Sequence, residues 1–119
     1  MHIRYTKLFT LITTSLLLTI INSNAYANSG TVKIESPKDG DTLYSSRENV
    51  VKYQANLGSR GNHMHIWVDG EKGPSQRALQ GAYTLPTISP GKHAIIIKVV
   101  DKGHVPTGPE HAIFVNVEE

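Results

Sequence analysis

From residue 31 onward the chain alternates apolar and polar positions in short runs. TVKIE at 31–35 sets Val32 and Ile34 against Lys33 and Glu35, the period of a half-buried strand. NVVKYQA at 49–55 sets Val51, Tyr53 and Ala55 against Val50, Lys52 and Gln54. HMHIWVD at 63–69, GAYTLPTI at 81–88, KHAIIIKVVD at 92–101 and HAIFVNVE at 111–118 read as further strands. Turn residues separate them. SPKDGDTL at 36–43, LGSRGN at 57–62, Gly70 with Gly73-Pro74, and SPG at 89–91 interrupt the pattern, and KGHVPTGP at 102–109 reads as an irregular loop. The polar stretch 75–80 fits no template, and no helical period appears.

About seven short strands at this spacing predict an all-β chain folded as an immunoglobulin-like β-sandwich. Cysteine is absent, so the expectation concerns the architecture and not the disulfide-and-tryptophan framework of antibody domains. Residues 1–27 stand outside this pattern. MHIRYTK is a short basic start, LFTLITTSLLLTII an apolar run, and Ala25 and Ala27 form a small-x-small site, the layout of a secretory signal peptide. The expected mature domain is therefore 28–119, one unit of about 90 residues, periplasmic or secreted.

Removing the leader changes the charge. The chain has 12 Lys+Arg and 10 Asp+Glu, and the leader carries Arg4 and Lys7 with no acid, so the domain is balanced. Without a basic cluster it lacks the footprint of a nucleic-acid binder. With no thiol, cysteine catalysis and thiolate metal sites are excluded, and no lipobox cysteine is available for a membrane anchor. Of 6 histidines only His2 lies in the leader.

Topology gathers most of the others. If the strands follow immunoglobulin order, those beginning at His63, Lys92 and His111 share one sheet. His63 and His65 then open one strand, His104 lies in the loop after its antiparallel neighbour, and His111 begins the last strand, all at one end. His93 belongs at the opposite end, beside Pro90-Gly91. Strand alternation points His63, His65 and Trp67 one way and Met64, Ile66 and Val68 the other, toward the core. Met64 is thus packing and not a ligand. The competing orientation turns Trp67 inward and buries the histidines.

Imidazoles at i and i+2 on a strand stand roughly 6.5–7 Å apart at Cα, a span one metal ion can bridge with bonds of about 2 Å. The candidate metal ligands are His63, His65 and His104, with Asp69 or Asp101 in support. His111 is the fourth candidate, although its parity with Ile113, Val115 and Val117 also suits a partly buried histidine. Imidazole donors suit copper or zinc.

Certain phrases carry a family likeness. IESPKDGDTL and LPTISPGKHAIIIKVVD look like the opening strand and the Pro-Gly hairpin of bacterial immunoglobulin-like secreted domains. HMHIWVDG, SPGKH and DKGHVPTGP together resemble an uncharacterised His-rich family of secreted domains with HHHLLID-type, PGxHTL and DxxHxPxxP motifs. Here Met64 stands where that pattern has its central histidine.

Catalysis finds little support. No serine sits in a G-x-S-x-G setting, and no paired carboxylates fall at strand ends. The expected function is a non-enzymatic one, binding of a copper or zinc ion by the histidine cluster as carrier or buffer. The alternative is an accessory module that docks a protein or glycan partner, with Trp67 as a stacking platform.

Overall fold

Alternation at period two gives each strand one apolar face, and two sheets bury those faces against each other. The structure, a computed structural model, describes residues 28–119, so the leader expected at 1–27 lies outside the described residues. Eight strands form: β1 (Thr31–Ser36), β2 (Thr42–Tyr44), β3 (Val50–Asn56), β4 (His63–Val68), β5 (Glu71–Gln76), β6 (Gln80–Thr84), β7 (Gly91–Val100) and β8 (Pro106–Glu118). One sheet has the order β1-β3-β6 and the other β2-β8-β7-β4-β5. All described elements are strands, and the architecture is the immunoglobulin-like sandwich expected from the sequence.

The core lies between the sheets. Ile34, Val51 and Tyr53 of the smaller sheet meet Met64, Ile66, Ile95, Ile97, Val99, Ile113 and Val115 of the larger one. Met64 is fully buried there, as its parity predicts.

Two strands escape the alternation. β2 has three residues and pairs in parallel with β8, too short to show a period inside its turn cluster. β5 is an edge strand of Glu, Lys, Gly, Pro, Ser and Gln, mostly exposed. An edge strand pairs through its backbone, and polar residues with Pro74 protect its free side. The loop expected at 102–109 is also shorter, because β8 already begins at Pro106. Conversely, the strand expected at 81–88 ends at Thr84, while Leu85 and Ile88 beyond it still bury.

Glycines shape both ends of β4. Asp69 and Gly70 have φ of 50° and 83°, and together they form a two-residue turn that matches the twist of the β4–β5 hairpin. A Cβ at Gly61 would stand 2.2 Å from the Leu57 carbonyl oxygen and 2.6 Å from Val99 Cγ1. Only glycine lets the chain press onto β7 as it enters β4 at His63.

Candidate metal centre

His63, His65 and His104 converge. β4 pairs antiparallel with β7, with His63 opposite Val100 and His65 opposite Lys98, so the start of β4 adjoins the loop that leaves β7. That loop closes on itself. Asp101 Oδ1 accepts the N–H groups of Gly103 at 2.8 Å and Val105 at 3.0 Å, and the His104 N–H donates to the Asp101 carbonyl at 3.0 Å. His104 takes a φ of 65°, a left-handed conformation, and its ring turns back over β4.

The result is a near-equilateral triangle of nitrogens. His63 Nε2 and His65 Nε2 are 3.1 Å apart, and His104 Nδ1 lies 3.2 Å from the first and 3.1 Å from the second. A cation at about 2.0–2.1 Å from each nitrogen would sit roughly 1 Å off their plane, with N–metal–N angles of about 100°. That angle falls between octahedral and tetrahedral, so the three nitrogens fit a metal ion, and of the three residues only His104 is exposed.

Neighbouring groups decide which nitrogens are free. His63 Nδ1–H donates to Asn62 Oδ1 at 2.9 Å, and His65 Nδ1–H donates to the Gly73 carbonyl at 2.9 Å. Both neutral rings therefore present bare Nε2 lone pairs to each other. Two lone pairs at 3.1 Å repel unless something positive lies between them. His104 Nδ1–H can supply it as a shared donor; with the His104 proton on Nε2 instead, the three nitrogens would hold a metal ion in the same place. Burial, then the His65 and His104 rings, then Arg77 and Lys72, hold His63 below the ordinary imidazole range, which keeps its lone pair available near neutral pH.

Both orientations weighed from the sequence prove incomplete. His63 and His65 face away from the core, as strand parity demands, yet they are only 2% and 4% exposed. His104 and the rest of the outer face cover them. Trp67 also faces outward, its ring edge-on to His65 at 5.6 Å and beneath Lys98 Nζ at 5.1 Å. The indole thus walls the trio, with the Lys98 ammonium over its ring.

The remaining candidates lie elsewhere. His111 is paired with Ile97 and shares its inward face, so it stands on the other side of the sheet from the trio. Its Nδ1 accepts the Ile34 N–H at 2.8 Å, tying β8 to β1. Asp69 is at the far end, where its Oδ2 pairs with His93 Nδ1 at 2.5 Å and its Oδ1 accepts the Ala94 N–H. His93 Nε2 meets the Ser89 carbonyl, so both its nitrogens are engaged away from the trio. A cleft of about 310 Å³ lies beside this pair, also remote from the trio. Asp101 does act in support, but through the loop backbone. Asn62 and Gly73 were not foreseen: an asparagine before a strand and a backbone carbonyl carry no sequence signal of their own.

Among the described residues, these three histidines are the one group of His, Cys, Asp or Glu whose side chains can together hold a metal ion. No family model matches the chain, and comparison with curated proteins finds no match. Solved structures do match in fold. The fibronectin(III)-like modules of Clostridium thermocellum CbhA superpose with a TM-score of 0.60 at 20% identity, covering 74% of this chain and 96% of theirs. The CARDB domain of a Pyrococcus furiosus protein, solved in complex with di-metal ions, gives 0.56 at 15% identity, covering 78% and 90%. The endo-beta-1,4-mannanase of Thermotoga petrophila gives 0.59 at 15%, covering 76% of this chain and 20% of that one. At such identities the likeness shows an immunoglobulin-like fold alone.

Proposed function

We propose that this protein binds one copper or zinc ion through His63, His65 and His104 and serves as a non-enzymatic carrier or buffer. The observation that carries this reading is the triangle of nitrogens at 3.1–3.2 Å, two of them fixed as lone pairs by Asn62 and Gly73. Partners of this kind fix the tautomer and ring orientation of metal-ligating histidines. Two ligands are buried on a strand and the third is on an exposed loop, an arrangement that suits exchange. A P. furiosus domain of the same fold was solved with di-metal ions, which lends the reading some support.

The leader pattern at 1–27 supports export to the periplasm or beyond. Among the described residues no helix is long and apolar enough to cross a membrane. We also read the His-rich motifs as kinship with the secreted family they resemble, with His63, His65 and His104 as the shared chemistry. No observation favours a protein or glycan partner over the metal.

Calorimetric titration of the tag-free protein with Cu(II) and Zn(II) tests this. One saturable site is expected, lost in His63→Ala and His104→Ala and retained in His93→Ala. Equal loss in all three variants, or no uptake by the wild type, refutes it.

A further inference from the structure

Three imidazoles bring no negative charge, so a bound divalent ion keeps its full charge. No carboxylate joins the trio among the described residues. Glu110 approaches Lys98 only at 3.9 Å, Asp101 Oδ1 is taken by backbone N–H groups, and Asp69 is at the far end with His93.

Cations surround the trio instead. Lys98 lies directly opposite His65 on β7. On the other flank Met64 pairs with Gln76, so Arg77, the next residue, falls beside His63 on the outer face, and Lys72 pairs with Trp67 on that same face. Residues opposite one another in an antiparallel pair have Cβ atoms about 5 Å apart. Arg77 and Lys72 are also exposed, free to turn toward a ligand at the trio. Such a rim opposes a bare dication and favours an oxyanion, which an arginine fork recognises best.

Resting on the metal-binding reading, we propose that the His63–His65–His104 site takes a small carboxylate from solution on its exposed, His104 side, so that the protein holds its metal as a metal–carboxylate complex. A carboxylate oxygen forms a coordinate bond to the metal and a metal-bound water leaves. No electron is transferred. Arg77 and Lys72 hold the bound anion, and Lys98 adds to the field.

The test uses the Cu(II)-loaded protein titrated with formate at constant ionic strength set by perchlorate, followed by the copper EPR signal and by calorimetry. Formate is expected to shift the spectrum saturably. K72Q/R77Q is expected to bind formate roughly three- to thirtyfold more weakly, the scale of two exposed charge pairs. The same variant should bind Cu(II) more tightly than wild type in perchlorate alone, because two repelling charges are gone. Saturable copper binding with a spectrum that formate leaves unchanged, or equal formate affinity in wild type and K72Q/R77Q, overturns the carboxylate proposal and leaves the metal site standing. Absence of copper uptake by the wild type overturns both.

Discussion

Asp101 offers a test of how the third ligand is held. Its Oδ1 accepts two backbone N–H groups, from Gly103 at 2.8 Å and Val105 at 3.0 Å, and these bonds keep the five-residue turn closed. Inside that turn His104 has a φ of 65°, which costs an L-residue about 1–2 kcal/mol. Asp101→Ala removes both bonds, each worth about 0.5–1.5 kcal/mol net, and lets His104 relax out of the left-handed region. The loss of preorganisation is therefore about 1–3 kcal/mol, or about five- to 150-fold in metal affinity. His63 and His65 remain, so binding is weakened and not abolished. Asp101→Asn keeps an acceptor oxygen in place and should retain most of the affinity. Competition against a chelator of known affinity, at fixed pH, reads all three proteins. Wild-type affinity in Asp101→Ala, or an equal loss in Asp101→Asn, would refute the reasoning.

Met64→Leu should leave metal affinity unchanged and cost less than about 1.5 kcal/mol in urea unfolding, because the thioether packs in the core on the opposite side of the strand from the lone pairs. His111→Ala should likewise spare metal binding, but strand the Ile34 N–H and cost about 1–3 kcal/mol of stability, read by the same unfolding curves. Asp69 and His93 should show in the pH dependence of the melting temperature. The hydrogen bond to Asp69 raises His93 above its ordinary 6.5, a contribution fully present below that value and lost as pH rises through the raised one. The bond to His93 lowers Asp69 below 3.8, a contribution present above that value and lost as pH falls through the lowered one. The gap in melting temperature between wild type and Asp69→Asn should thus be widest between the ordinary Asp69 and His93 values and narrow as the pH rises through the raised His93 value; a gap that does not change with pH would contradict the pair.

Strand alternation carried much of the fold and part of the site. The period-two runs around Val51, Ile66, Ile97 and Val115 name the core directly, and the order of those strands brings His104 to His63 across 41 residues of chain. β2 and β5 could not be read this way, since they lie at sheet edges and take their stability from backbone pairing. Asp69 misled for a related reason. It is four residues from His65 in sequence, but the strand carries it to the other end of the sheet, where it meets His93. His111 shows the limit of grouping by strand ends: its partner on β7 is Ile97, well along the strand, and its inward parity sets it among aliphatic neighbours. Strand parity tied burial of His63 and His65 to an inward Trp67; their burial on the outer face was not legible, because His104 reaches them from a distant loop in a left-handed conformation.

Anomalous diffraction from crystals grown with Zn(II) or Cu(II), recorded at the metal edge, tests the central claim most directly. The account predicts one strong peak bonded to His63 Nε2, His65 Nε2 and His104 Nδ1 at about 2.0–2.1 Å, with the two Nδ1–H bonds to Asn62 and Gly73 intact. A peak at His93 and Asp69 instead, or a trio that stays metal-free at saturating ion, would contradict it.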